Sequence, residues 1–123
     1  MSERCEHLTK LAEREVQRTL SELPPELRAR VEAIPIVYDG RALDELEAEG
    51  VGDTLGLFVG ENFVEVGQGG GLPAQIILYL ENLWIEAEES EMEYRHQVRA
   101  TLLHELGHYL GLEEIDLDER GLG

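Results

Sequence analysis

Residues 98–114 have the sequence VRATLLHELGHYLGLEE, and this stretch decides the fold. Apolar side chains recur at every fourth position, at Val98, Leu102, Leu106 and Leu110. This period predicts a helix with one apolar face against the core, within a longer helix that we expect over residues 90–110. The same helix carries two histidines, His104 and His108, whose side chains are predicted to lie outside the apolar face.

The spacing of these histidines suits a metal ion. His104 and His108 are four residues apart, so their side chains lie about 40° apart around a helix and can share one ion. For zinc the metal–nitrogen distances would be about 2.0–2.1 Å. Glu105 is offset by one position, where it can take a proton from a water molecule beside the ion and deliver it to a leaving amine. The spacing therefore predicts a Zn²⁺ site with Glu105 as a catalytic general base.

The residues that follow His108 offer a third ligand. Gly111 permits the chain to leave the helix in a left-handed conformation and turn back. Glu114 then comes within reach and is our first choice, ahead of Asp116 and Glu113. Since 15 residues of the sequence follow His108, we expect the third ligand close to the motif rather than on a distant second helix. Three protein ligands leave the open coordination position that a catalytic zinc site requires.

The rest of the chain predicts an α+β fold, with a small mixed β-sheet flanked by helices. Helices are expected over residues 3–20, 25–31 and 41–49, and strands over residues 33–38, 54–59, 63–66 and 75–80. Three consecutive glycines lie in the segment 67–73, which we expect to be a loop. No repeat or long linker divides the sequence, so residues 1–123 are expected to form a single domain.

The composition is strongly acidic, with 27 Asp and Glu against 10 Lys and Arg and a formal charge of -17. Such a chain is expected to repel nucleic acid and anionic membrane surfaces, and most of the acids are expected to form a solvated surface. A single cysteine, Cys5, excludes an intramolecular disulfide. No apolar run is long enough to span a bilayer, and the N-terminus lacks an apolar signal segment. We therefore expect a cytoplasmic protein, whose oligomeric state the sequence leaves open.

The chain resembles the small zincin-like metallopeptidases of bacteria. The similarity covers most of the sequence and is carried by residues 21–27, 36–38, 52–58, 72–79 and, most specifically, 98–112. It implies a zincin-like fold, zinc on His104 and His108, Glu105 as catalytic acid and base, and an acidic third ligand at Glu114. The string His-Glu-x-x-His-x-x-Gly-x-x-Glu also resembles the metzincin pattern, with Glu where the last His usually stands. The sequence departs from metzincins in having no methionine after the motif for a Met-turn.

Three functions are compatible with the sequence. The first is a zinc-dependent peptidase acting on a peptide or protein substrate. The dense carboxylates after Leu112 would favour cationic substrates. The second is a non-catalytic zinc-binding or interaction module, since little sequence remains to build a substrate cleft. The third is a zinc hydrolase of non-peptide amides.

Further residues have expected roles. In zincins an edge strand usually lies above the active helix and pairs with the substrate backbone. Residues 75–80 are the candidate for that strand, with an interior strand as the equal alternative. Any of four tyrosines could donate a hydrogen bond to a developing oxyanion: Tyr38, Tyr79, Tyr94 and Tyr109. His7 and His96 are expected at the surface rather than on a metal.

Overall fold

The structure, a computed structural model, describes residues 3–60 and 74–110. In this part of the chain the helices are α1 (Glu3–Glu22), α2 (Pro25–Val31), α3 (Leu43–Ala48), α4 (Leu80–Glu86) and α5 (Glu91–Leu110). The strands are β1 (Ile36–Asp39), β2 (Gly56–Val59) and β3 (Gln75–Tyr79). The architecture is α+β, as the sequence predicts. The expected strand at 63–66 and the loop at 67–73 lie outside the described residues.

The described strands form one mixed sheet in the order β1-β3-β2. β1 runs parallel to β3 with Ile36 opposite Ile76, and β2 runs antiparallel with Phe58 opposite Ile76. Of the two alternatives for residues 75–80, the edge strand is wrong and the interior strand is confirmed, because β3 is hydrogen-bonded to β1 on one side and to β2 on the other. Its nearly continuous apolar run is typical of such an interior strand. Among the described strands, β2 is the antiparallel edge.

The core lies between the sheet and the two long helices. α5 packs against α1, α4, β2 and β3. Its own contribution is the predicted apolar stripe, in which Val98 and Leu102 are fully buried and Leu106 and Leu110 nearly so. Tyr94, one turn before the stripe, is also fully buried, and its hydroxyl donates a hydrogen bond to the Leu8 carbonyl of α1 at 2.9 Å. Among the described helices, none is long and apolar enough to cross a membrane.

Most elements match the sequence-based expectation, and one helix was missed. The stretch after β3 turns at once into α4, in which Leu80 and Leu83 are buried at helical spacing. The prediction of a strand through Leu80 was wrong. Neither a capping side chain nor a break in the apolar run marks the start of α4 in the sequence. Gly50 closes α3 as predicted, with a backbone φ of 82° that residues other than glycine rarely adopt.

Candidate metal centre

Helix α5 brings His104 and His108 together on its exposed side. Both side chains are solvent-exposed, outside the buried stripe. Their Nε2 atoms lie 3.1 Å apart, and the rings meet edge to face with centroids 4.7 Å apart. A carboxylate oxygen of Glu105 joins them, so that one ligand atom from each of the three residues lies within 4.8 Å of the others. Within the described part of the chain, this is the one group of three such residues close enough to hold a metal ion.

The two histidines fit the geometry of a zinc ion. Two nitrogen ligands at about 2.0–2.1 Å from a tetrahedral ion are about 3.3–3.4 Å apart. The Nε2–Nε2 distance of 3.1 Å between His104 and His108 is close to this value. Because the two Nε2 atoms are already this close, a small movement of either side chain would seat an ion between them.

Glu105 has a different environment from the histidines on either side of it. Only 8% of its surface is exposed, and its Oε1 accepts a hydrogen bond from the backbone N–H of Phe58 at 3.0 Å. A carboxylate removed from water needs such a donor, because burying it without one costs several kcal/mol. Its Oε2 makes no hydrogen bond within the described residues. The strand thus holds one oxygen of Glu105 and leaves the other available for proton transfer.

A close approach between β2 and α5 creates this contact. A Cβ atom added at Gly56 would lie 2.5 Å from Cγ2 of Thr101 on α5, so only glycine fits without a shift. Two residues further along β2, the ring of Phe58 packs on that of Tyr109, with centroids 5.8 Å apart. The close approach of β2 to α5 was not predicted from the sequence. The signal was a glycine inside a strand, which often marks a place where another chain segment comes close.

The other predictions concern the third zinc ligand and the two remaining histidines. Glu114, Asp116, Glu113 and Gly111 lie outside the described residues, so the third ligand stays a prediction. His7 and His96 are exposed, as expected, and each faces a glutamate: Glu91 at 2.9 Å from His7 and Glu93 at 3.6 Å from His96.

Three of the four tyrosines have described environments that bear on an oxyanion role. The prediction of an oxyanion donor is wrong for Tyr94, because this residue is fully buried and its hydroxyl donates to the carbonyl of Leu8. Burial, followed by the nearby charge of Glu13, raises the pKa of Tyr38 to about 12. Tyr109 lies beside the metal centre through its contact with Phe58. An oxyanion role for Tyr38, Tyr79 or Tyr109 stays a prediction.

The chain belongs to the zincin-like metallopeptidase family, whose sequence model matches residues 26–123. The match includes the His104–Glu105–His108 cluster, β2 and the whole sheet. A search among curated proteins finds no match. The family suggests a hydrolase, and zinc is the metal that such proteins typically bind.

Proposed function

We propose that this protein is a zinc-dependent peptidase in which His104 and His108 are zinc ligands and Glu105 is the general base. The observation that carries the proposal is the convergence of these three side chains, with Glu105 buried and bonded to Phe58 while both histidines face solvent. A structural cluster would not need a carboxylate held in this orientation. Glu114 is proposed as the third ligand from the sequence spacing.

The residues divide the chemistry between them. When bound, zinc supplies Lewis acidity, which lowers the pKa of water and polarises a carbonyl group. Glu105 takes a proton from the attacking water on Oε2 and returns it to the leaving amine. The Phe58 N–H keeps Oε1 in place during both transfers, so the carboxylate does not have to be reoriented. This preorganisation supports a catalytic role for Glu105.

The position of β2 supports a peptide substrate. Among the described strands β2 has one edge not paired with β3, and it lies against the helix that carries the three residues. An extended peptide can add to such an edge through main-chain hydrogen bonds, which would bring a scissile bond toward His104. The net charge of -17 favours cationic residues in the cleaved segment.

The test compares Glu105→Gln with the wild type on a peptide library, with zinc content measured alongside. Glutamine still accepts the Phe58 N–H bond but cannot take a proton at neutral pH. We expect zinc binding to persist and hydrolysis to fall by at least about 100-fold. Glu93→Gln, the same change at an exposed position of the same helix, is the control and should keep full activity.

Other outcomes separate the alternatives. Full hydrolysis by Glu105→Gln would remove the general-base role. Tight zinc binding by the wild type with no turnover of any peptide would favour the non-catalytic module. Cleavage confined to non-peptide amides would favour the third function. Equal cleavage of acidic and basic peptides would remove the preference for cationic substrates.

A further inference from the structure

The described sheet has a second face, opposite to the one that packs on α5. On β2, the Gly56 position lies against Thr101 of α5. The ring of Phe58, two residues later, packs on Tyr109 of the same helix. Side chains alternate along a strand, so Leu57, which lies between these two positions, points to the other side of the sheet. We call this second side the outer face.

Three apolar residues form one row across the outer face. Val37 of β1 and Leu57 of β2 are both directly opposite Ile77 of β3 in the strand register. Neighbouring strands are about 4.8 Å apart, so the three side chains adjoin. Val37 and Leu57 are each 39% exposed, and Ile77 is half-buried. A solvated sheet face usually carries polar residues at such positions, so this apolar row is suited to a binding partner.

An acidic helix borders the outer face at one end. Asp39 follows Val37 by two residues and therefore shares its face. Arg41 pairs with Asp39 on one side and with Glu49 on the other, which places the end of α3 beside the outer face. Residues 43–49 contain no Lys or Arg, and their acidic residues are all exposed: Asp44, Glu45, Glu47 and Glu49. The apolar row thus has a negative border that Arg41 balances only in part.

We propose that the outer face binds a basic amphipathic helix of a partner protein. The apolar side of that helix covers the row of Val37, Ile77 and Leu57, and its Lys or Arg side chains pair with the acids of α3. Three strands, the longest of five residues, form a surface of about 10 by 17 Å. A helix is about 10 Å wide, and about three of its turns span this length. The formal charge of -17 attracts such a helix at long range.

A second copy of this chain fits the outer face less well. Two chains that each carry a formal charge of -17 repel each other. A stable interface buries about 800 Å² on each partner, whereas the row presents only three apolar side chains. A basic helix adds ion pairs at α3 to the apolar contact, so it depends less on apolar area.

The test is binding of a fluorescein-labelled amphipathic helix built of Leu and Lys only, followed by anisotropy. The double variant Val37→Thr with Leu57→Thr keeps the β propensity of both strands and withdraws one apolar methyl group at each position. We expect it to weaken binding by about tenfold, from two losses of about fourfold or slightly less. Ile85→Thr makes the same kind of change at a half-exposed position of α4 outside the row, and should weaken binding less than twofold.

The acidic border is tested separately. Glu45→Gln combined with Glu47→Gln removes two charges from α3 and should weaken binding by about threefold, as expected for two exposed ion pairs. Glu3→Gln combined with Glu6→Gln removes the same charge from exposed positions of α1 and should change affinity by less than half as much. Equal losses in the two pairs would show a diffuse attraction to the whole chain and would contradict a border at α3.

Several further results would overturn the proposal. A Leu–Lys peptide of the same composition without an apolar face should bind at least tenfold more weakly, and equal binding would exclude an apolar site. Val37→Ile enlarges the row and should bind at least as tightly as the wild type, so a loss there would contradict the proposal even if the threonine pair fails to fold. A dimer of the wild type that the threonine pair dissociates in sedimentation would identify a second copy as the occupant. Binding is measured without zinc and without turnover, so this outcome is independent of the proposed hydrolytic function.

Discussion

The backbone N–H of Phe58 donates a hydrogen bond to Oε1 of Glu105, across 47 positions of the sequence. This bond joins β2, an edge strand among those described, to the helix that carries both histidines. It also ties the proposed proton acceptor to the sheet rather than to its own helix alone. Any change that moves β2 away from α5 should therefore disturb Glu105 before it disturbs His104 or His108.

Replacing Gly56 by alanine tests this coupling. The new Cβ would meet Cγ2 of Thr101 at 2.5 Å and the carbonyl oxygen of Ile77 at 3.3 Å, so β2 must move outward. We expect a loss of about 1–3 kcal/mol in the free energy of unfolding, as for other overpacked sites. Peptidase activity should fall with zinc affinity unchanged. Urea unfolding, zinc titration and peptide hydrolysis measure the three quantities.

The matched partner is Thr101→Ser, which removes the methyl group that the alanine meets. Gly56→Ala combined with Thr101→Ser should recover more than half of the lost stability, because the closest contact is gone. Thr101→Ser alone should have a small effect. If the double variant were as unstable as Gly56→Ala alone, the clash with Thr101 would not be the cause.

Zinc should stabilise the folded protein through the two histidines. A ligand that binds only the folded state adds about 2.7 kcal/mol at 100 times its dissociation constant, which for a domain of this size raises Tm by about 10 °C. His104→Ala should abolish most of that shift. His96→Ala, a change at an exposed histidine of the same helix, should retain it. Differential scanning calorimetry with and without zinc makes the comparison. An equal zinc-induced shift in Tm for both variants would show that His104 is not a zinc ligand.

Asn82 should be important for the stability of the loop before β2. Its Nδ2 donates to the carbonyls of Val51 at 2.8 Å and Thr54 at 2.7 Å, and the residue is buried. Asn82→Asp keeps the shape but replaces both donated bonds by repulsion between oxygens. We expect the free energy of unfolding to fall by about 2–4 kcal/mol. The same amide-to-acid change at exposed Gln17 is the control in chemical denaturation, and equal losses in both would contradict this role.

Asp39 should make stability depend on acid pH. The side-chain hydrogen bond from Arg41 is the main cause that lowers the pKa of Asp39 below its usual 3.8, and Arg41 also pairs with Glu49 at 2.5 Å. A carboxyl whose pKa is lower in the folded state stabilises the fold above pH 3.8, and this contribution is lost as the pH falls through the folded-state pKa. Solvent screening limits the contribution to less than about 1 kcal/mol.

The measurement is urea unfolding of wild type and Asp39→Asn between about pH 3 and pH 7. The wild type should be more stable at neutral pH, and the difference should shrink below pH 3.8. Asp53→Asn, at an exposed position, should follow the wild type throughout. A difference that stayed constant with pH would show that the Asp39 charge is not the source.

Local patterns were enough to predict the helix of the candidate site. The four-residue period of apolar side chains places the buried face of α5, and the i, i+4 spacing of His104 and His108 places both rings on one side. These are properties of a single helix, and they do not depend on what packs around it. For the same reason the short helix α4 was missed, since its start has neither a capping side chain nor a break in hydrophobicity.

The sequence by itself determined the α+β class, the helix with its histidine pair, and the family to which the chain belongs. Only the tertiary structure decided that β3 is paired on both sides, that β2 lies beside α5 at the edge of the described strands, and that Phe58 holds Glu105. Strand order and the approach of Gly56 to Thr101 depend on contacts between distant segments. Such contacts form only when the apolar faces of sheet and helix are buried together, and no local period along the chain encodes them.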